Sequence, residues 1–326
     1  MLAKLLARRE ATLLAIIIVM VLAVGIRAPR FLEPARQVSV LNDTVILLML
    51  TLGQLAVIAS GGIDLSVASN LAFVGMAMAL LNTVMPGLPI VVYIVAAVLL
   101  GALLGAFNGS LVAWGGVPPI IMTLGTMTVF RGMVFLLSGG AWVSAHQMSP
   151  AFRELPRLGF LGIPSLIWIG LATTAVMYVV MAHTRVGREL YAVGDNEDAA
   201  RYVGINPRMV KFRSFVISGA IAGLTGLLWV MRYASAQNDT AIGFELETVA
   251  AAVIGGVSIM GGSGSISGVV LGALFLGILK NALNVIGVSP FWQLAIQGAA
   301  ILIAIVANTV VDRRNQERLT MRRVST

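Results

Sequence analysis

Few residues of this sequence are suited to making or breaking covalent bonds. The chain of 326 residues has no cysteine and only two histidines, His146 and His183, which lie far apart in sequence. This excludes thiolate catalysis and a cysteine metal centre, and no histidine lies near a candidate serine nucleophile. The phosphate-binding pattern G-x-x-x-x-G-K-[ST] is also absent from the sequence. We therefore expect no catalytic residue, no metal site and no cofactor bound by this chain.

Polar residues that interrupt apolar segments point instead to the movement of a solute. In the segment 60–66, two glycines permit a sharp turn or unwound backbone, and Asp64 can cap the helix that follows. The same carboxyl group can line a polar path, and both interpretations stay open. We predict six solute-pathway residues: Asp64, Ser66, Asn70, Thr123, Thr126 and Asn281. Carriers driven by protons or cations usually need several buried titratable groups, so this pattern favours a neutral solute driven from outside the chain.

The composition predicts the elements that position these residues. Hydrophobic residues make up 58% of the chain and charged residues 11%, whereas a soluble domain has about 25% charged residues. A soluble enzyme, a disordered chain and a nucleic-acid-binding protein are excluded, despite a net charge of +8, because the charges lie in clusters between apolar blocks. We predict an all-α integral membrane protein with a single domain spanning residues 1–326, and expect a lipid bilayer but no nucleic acid as a partner.

A helix needs about 20 apolar residues to cross a bilayer. We predict ten membrane helices near 11–28, 42–60, 65–84, 90–114, 118–137, 164–183, 214–232, 247–260, 265–287 and 291–311. The first is expected to be a retained helix rather than a signal peptide, because Arg27 and Pro29 follow it instead of a cleavage site. The segment 247–260 is short, and is either a tilted helix or a broken, re-entrant one.

The distribution of Lys and Arg predicts the orientation in the membrane. Basic residues concentrate near the N-terminus, in the segment 184–213 and in the tail 312–326, and such regions are usually cytoplasmic. Both termini are then cytoplasmic and 138–163 forms a periplasmic loop. The basic residues between 27 and 36 contradict this assignment, but three regions outweigh one.

Two short patterns suggest an inverted repeat. Leu-Gly-Ala-Leu at 100–103 recurs at 271–274, and Gly-Val-x-Pro at 116–119 recurs at 287–290, with the same shift of 171 residues. In the predicted topology the two copies run in opposite directions, as in many transporters. Chance recurrence of common apolar residues is the alternative.

The segment 184–213, named here the coupling segment, is the long polar stretch between apolar blocks. Asp195-Asn196-Glu197 predicts the start of a short helix, residues 199–203 continue it, and Gly204 ends it. A short helix outside the membrane with small residues on one face favours docking into a groove of another protein. A solvated loop is the alternative.

Four motifs together resemble the ribose-type sugar permeases of bacterial ATP-binding-cassette importers. They are Ser-Gly-Gly-Ile-Asp-Leu-Ser-Val at 60–67, Ile-Ile-Met-Thr-Leu-Gly-Thr-Met at 120–127 leading to Arg131-Gly132, Gly-Arg-Glu-Leu-Tyr-Ala-Val-Gly-Asp-Asn at 187–196, and Ala-Ala-Val-Ile-Gly-Gly-Val-Ser at 251–258 with Gly-Gly-Ser-Gly at 261–264. They span almost the whole chain in the order of the family. Pentose importers, methylpentose importers such as those for rhamnose, and autoinducer-2 importers share them, so the subfamily stays open.

The resemblance implies partners and a role for the coupling segment. It implies two cytoplasmic ATPase subunits that use ATP, a periplasmic sugar-binding protein, and a second permease copy or a sister permease in the bacterial inner (plasma) membrane. The matching segment would be a helix that docks on the ATPase. The residues expected to couple ATP hydrolysis to transport are Gly194, Asp195, Asn196, Ala199, Ala200 and Gly204.

The function predicted from the sequence is therefore that of a permease subunit, without an ATPase site of its own, that imports a monosaccharide or a related small solute. Two alternatives remain: a branched-chain amino-acid permease of the same importer class, and a secondary carrier or channel that works alone. The first would need a site for the paired charges of an amino acid, and the apolar segments offer few charges.

Overall fold

A computed structural model describes residues 9–289, 291–299 and 302 of the chain. Within these residues, eight helices are long and apolar enough to cross a membrane. This confirms the predicted all-α membrane class. The last of the ten predicted helices lies partly outside the described residues and the tail 312–326 wholly so, and the count of ten therefore stays a prediction.

In addition to a helical stretch at 291–299, the described residues form twelve α-helices and four two-residue strands. The helices are α1 Arg9–Arg27, α2 Pro34–Ala59, α3 Val67–Val84, α4 Ile90–Ala113, α5 Pro119–Ser138, α6 Pro150–Glu154, α7 Ser165–Tyr178, α8 Arg185–Asp195, α9 Glu197–Tyr202, α10 Pro207–Tyr233, α11 Phe244–Ile254 and α12 Ile266–Val285. A π-helical turn, Val179–His183, extends α7. The strands β1 Val143–Ser144 and β4 Ser235–Ala236 pair antiparallel, as do β2 Gly159–Phe160 and β3 Ile163–Pro164.

The long helices alternate in direction between two ends of a bundle. At one end, named here the junction end, the N–H of Gly262 donates a hydrogen bond of 3.1 Å to the carbonyl oxygen of Ala59. At the opposite end, named here the far end, β1 pairs with β4 and Arg232 forms an ion pair with Asp43. The coupling segment lies at the junction end, and most of the loop 138–163 lies at the far end.

The helix α2 forms the centre of the bundle. In its most apolar stretch 83% of the residues are buried, compared with 22–28% in α1, α4, α5 and α7. The outer helices therefore expose apolar side chains along their length, which is the surface that a surrounding bilayer requires.

The predicted segment 247–260 is a broken helix. The helix α11 has 11 residues and a length of about 16 Å, roughly half of the apolar thickness of a bilayer. It stops at Ile254, and the chain turns through residues 255–265 before α12 begins. In this turn Gly256, Gly261 and Gly262 have positive φ angles, which side chains other than glycine rarely adopt.

Glycines allow α4 and α10 to pack backbone against backbone. A methyl group added to Gly101 would overlap the carbonyl oxygen of Gly219, and one added to Gly105 would overlap that of Phe215. Such contacts let polar backbone atoms and small residues replace side-chain packing between membrane helices. These glycines therefore serve the packing of α4 against α10.

Contacts between the two halves support the inverted repeat. A shift of 171 residues places α2, α3 and α4 approximately on α10, α11 and α12. The helices α2 and α10 are antiparallel, because Ser60 bonds Ser214 at one end and Asp43 pairs with Arg232 at the other. Gly105 packs against Phe215, and Gly277 packs against Thr44. Adding 171 to the number of Gly105 and subtracting 171 from that of Phe215 gives the second contact to within one residue.

We expect Gly219→Ala to destabilise the protein by about 1–3 kcal/mol, because the new methyl group would separate α4 from α10. Thermal unfolding in detergent, followed by tryptophan fluorescence, measures this loss. Gly125→Ala on α5 is the matched control, since no atom lies within 4 Å of the Cβ it would add. Equal melting temperatures for the two variants would contradict the close approach.

Candidate functional site

Two helices of the coupling segment meet at Asn196. The helix α8 ends at Asp195, and the side-chain oxygen of Asn196 accepts a hydrogen bond of 2.9 Å from the N–H of Ala199, which caps the start of α9. Gly204 follows α9 with a φ of +83°, where a side chain would strain the backbone. The predicted start and end of this short helix are confirmed.

The exposed tip of α9 is apolar. Tyr202 is 91% exposed and Val203 74%, whereas Ala200 is buried inside the chain. Sequence reasoning expected small residues to form the docking face, and Ala199 is indeed exposed. The structure instead offers Tyr202 and Val203 as the large apolar side chains of this surface, named here the α9 tip. A tyrosine side chain that fills a partner's pocket is a typical anchor of a protein interface.

Ion pairs hold the coupling segment against α10. Glu197 contacts Lys211 at 2.5 Å and Arg201 at 2.6 Å, and Glu189 contacts Arg213 at 3.1 Å. The hydrogen bond from Lys211 holds the pKa of Glu197 below its ordinary value. The short helix α9 is therefore attached by charge to the start of a long membrane helix.

We expect Glu197→Gln to loosen α9 at neutral pH by about 1 kcal/mol or less, because the ion pairs are partly exposed. A carboxyl group with a lowered pKa stabilises the fold above its ordinary pKa and loses that effect as the pH falls through the lowered value. The difference from the wild type should therefore be present at pH 7 and vanish in acid. Limited proteolysis of the coupling segment across this pH range measures it, with the more exposed Asp198→Asn as the control. A difference in proteolysis between Glu197→Gln and the wild type that persists in acid would contradict the stabilising role of the Glu197 carboxylate.

A buried polar cluster surrounds Asp64 between α2 and α3. One oxygen of Asp64 accepts hydrogen bonds from the N–H of Ser66 at 2.9 Å and from its hydroxyl at 2.6 Å. The other oxygen accepts from Ser218 of α10 at 3.1 Å. The amide of Asn108 on α4 donates to the Ser66 hydroxyl at 2.7 Å. Asp64 thus caps the turn that leads into α3 and not the predicted first N–H groups of the helix, because Ser66 precedes the first helical residue, Val67. Through Ser66 and Ser218 the cluster joins α3, α4 and α10.

Gln54 completes this cluster from α2. With its amide group oriented so that both hydrogen bonds form, it donates to the carbonyl oxygen of Asp64 and accepts from the N–H of Asp64, each at 3.1 Å. The unwound backbone at Asp64 therefore finds side-chain partners, as a buried polar backbone requires.

The other predicted pathway residues are also buried. Asn70 donates to the carbonyl oxygen of Gly101 at 3.2 Å, and Thr123 donates to that of Ile63 at 3.1 Å. Thr126 bonds within α5 and Asn281 within α12, each to a carbonyl four residues earlier. All six residues are enclosed by the chain in this conformation. Their bonds join helices or close helix turns, and contact with a solute stays a prediction for each of them.

Sequence reasoning missed Ser218 and Gln54 as members of this cluster, and also Ser214, whose hydroxyl bonds that of Ser60 nearby. Each is a single polar residue in an apolar helix, and the surrounding sequence does not reveal which neighbouring helix it contacts. The four-residue spacing of Ser214 and Ser218 on α10 was the available signal, since it places both on one helix face.

Two charged residues within apolar segments also have partners. Arg131 on α5 donates to the carbonyl oxygens of Thr240 at 2.7 Å and Asn238 at 3.2 Å, so it fixes the loop between α10 and α11 at the far end. Lys280 pairs with Glu247 at 3.4 Å. Both contacts join one element to another, as charges inside a membrane protein pair with one another or with backbone carbonyls.

Comparisons with known proteins place this geometry in a family. Residues 37–305 match the family described as "Branched-chain amino acid transport system / permease component". The chain is 36% identical over 300 residues to the ribose import permease protein RbsC of Haemophilus influenzae, covering 91% of this chain and 92% of that protein. It is 36% identical over 303 residues to RbsC of Escherichia coli, covering 92% of each.

A second group of relatives is named for a different substrate. The autoinducer 2 import system permease protein LsrC of Salmonella typhimurium is 34% identical over 299 residues, covering 91% of this chain and 85% of that protein. No solved structure matches the chain significantly.

Proposed function

The chain belongs to this family of importer permease components, and we propose that it is the membrane-spanning subunit of an ATP-driven importer for a monosaccharide or a related small polar solute. The observation that carries the proposal is the match over nine-tenths of the chain to permeases for ribose and for autoinducer 2. The cluster at Asp64 supports it, because hydroxyl and amide groups there surround one carboxyl group without a second charge that a charged cargo would need. Hydrolysis of ATP belongs to a separate subunit.

The proposed mechanism is alternating access in the bacterial inner membrane. We place the junction end and both termini in the cytoplasm and the far end in the periplasm, which agrees with the basic residues of the coupling segment. ATPase subunits bind the α9 tip, a solute-binding protein delivers its cargo at the far end, and a second permease copy or a sister permease completes the pathway. ATP binding moves the coupling segments and switches the opening from one side to the other.

Reconstituted uptake tests this proposal. Proteoliposomes that contain the permease alone, or the permease with its ATPase and solute-binding protein, are given labelled ribose with and without ATP. We expect uptake in the complete, ATP-supplied sample alone. Ribose is the probe, and rhamnose and autoinducer 2 follow in the same assay. Uptake by the lone permease down an ion gradient would favour a secondary carrier and overturn the proposal.

The family description gives a second candidate, a branched-chain amino-acid permease. A transported leucine carries both an ammonium and a carboxylate group, and each needs a charged or strongly polar partner when it leaves water. Leucine in place of ribose in the same proteoliposomes separates the two cargoes. ATP-dependent leucine uptake without sugar uptake would favour the second candidate.

A further inference from the structure

Two glycine-rich turns and the last turn of the helix α8 meet at the junction end of the bundle. They are the α2–α3 turn with Gly61, the end of α8 with Gly194, and the α11–α12 turn with Gly261 and Gly262. These four glycines are named here the glycine junction. Each turn belongs to a different motif in the sequence, and the motifs are separated by tens of residues.

Gly194 lies between the other two turns. A methyl group on Gly194 would overlap the carbonyl oxygen of Ala59 on one side and lie 2.6 Å from the nitrogen of Gly262 on the other. A methyl group on Gly261 would lie 2.9 Å from the carbonyl oxygen of Gly194 and 3.0 Å from the Cα of Gly61. The backbones are therefore in direct contact, with no side chain between them.

Hydrogen bonds close the same contact. The N–H of Gly262 donates to the carbonyl oxygen of Ala59 at 3.1 Å, and the hydroxyl of Tyr191 on α8 donates to the carbonyl oxygen of Gly264 at 3.0 Å. Burial raises the pKa of Tyr191, so its hydroxyl keeps the proton that it donates. Close-packed backbones of this kind deform little, since any displacement creates overlap or a void.

The two turns that Gly194 touches belong to different halves of the inverted repeat. The α2–α3 turn belongs to the first half and the α11–α12 turn to the second. A contact with one turn alone would transmit a displacement to one half. A contact with both transmits it to both halves together.

We propose that the glycine junction is a rigid joint that fastens the coupling segment to both halves of the permease at once, with Gly194 as its positioning residue. A displacement of the α9 tip then moves the α2–α3 turn and the α11–α12 turn as one body. This inference rests on the proposed function, because it says how the coupling segment acts when an ATPase moves it.

A substitution that forces the joint apart provides the first test. In the reconstituted complex we expect Gly194→Ala to transport about tenfold less solute per ATP hydrolysed than the wild type. A variant that only weakened folding would lower the amount of complex and leave the ratio of solute to ATP unchanged. Gly125→Ala is the matched control, because its methyl group would lie in open space. An unchanged ratio in Gly194→Ala overturns the positioning role.

A distance measurement tests rigidity even if Gly194→Ala fails to assemble. The chain has no cysteine, so spin labels can be placed at Arg188→Cys on α8 and Met260→Cys in the α11–α12 turn, both of which are exposed. We expect the distance between the labels to differ by less than about 2 Å between the nucleotide-free and ATP-trapped complexes. A larger change overturns the rigid joint. Absence of ATP-dependent uptake in the wild type would instead overturn the proposed function, so the two failures are distinguishable.

Discussion

Replacing both Tyr202 and Val203 with serine is expected to weaken binding of the ATPase subunit by about thirtyfold or more, since truncating a central interface anchor typically costs at least about 2 kcal/mol. ATP-driven uptake should fall accordingly. The fold should not change, because the two side chains are the most exposed apolar groups of the coupling segment and support no other part of it.

Two measurements on purified protein test this expectation. Binding of the ATPase subunit to the permease in detergent gives the affinity, and uptake into proteoliposomes gives the functional loss. Tyr202→Phe keeps the ring and should retain most of the affinity. Val84→Ser, at an equally exposed apolar position of the far end, controls for the general loss of surface apolarity.

The choice of these positions follows from the burial of their neighbours. A bulky charged residue at Ala200 would disturb the interior of the chain, and any side chain at Gly204 would strain its backbone. A loss of uptake in those variants would not separate docking from folding. If the double serine variant binds the ATPase as tightly as the wild type, the α9 tip is not the docking surface.

Asp64→Ala is expected to be the most destabilising single substitution in the membrane region, at about 3 kcal/mol or more. Three hydrogen bonds end on this carboxyl group, from the N–H and hydroxyl of Ser66 and the hydroxyl of Ser218. Each donor would lose its acceptor while remaining buried, and an unsatisfied buried donor costs about 1–3 kcal/mol. Thermal unfolding in detergent measures the loss.

Asp64→Asn separates the loss of the negative charge from the combined loss of hydrogen bonds and side-chain volume. The amide oxygen can still accept from Ser66, and the amide nitrogen can donate to the hydroxyl of Ser218, which turns to accept. We expect this variant to lose less than half as much stability as Asp64→Ala. In a Ser218→Ala background the effect of Asp64→Ala should also shrink, because the two residues share a bond. If Asp64→Ala costs the same stability in the wild type and in the Ser218→Ala background, the hydrogen bond between these two residues does not contribute.

The same pair of variants bears on transport. If Asp64 serves the fold alone, Asp64→Asn should retain ATP-driven uptake in proportion to the folded protein present. If the carboxyl group contacts the solute, uptake per folded molecule should fall and the solute concentration for half-maximal uptake should rise. This measurement distinguishes the two interpretations that the sequence left open.

The sequence by itself determined the class of protein, because the number of apolar residues leaves no alternative to a bilayer. It also determined the coupling segment, where Asn196 and Gly204 act within a few residues of their own helix and need no distant partner. Local signals of this kind survive without tertiary information, since capping and left-handed backbone depend on the residue and its immediate neighbours.

Only the tertiary structure decided which residues meet. Gly61, Gly194 and Gly262 look like three unrelated turns in the sequence, yet their backbones touch. Ala200 and Tyr202 differ by two positions, and only packing against α10 decides that one is buried and the other exposed. The physical reason is that contacts between helices depend on how each helix is rotated and how deep it lies, and an almost uniformly apolar membrane helix carries little sequence signal for either.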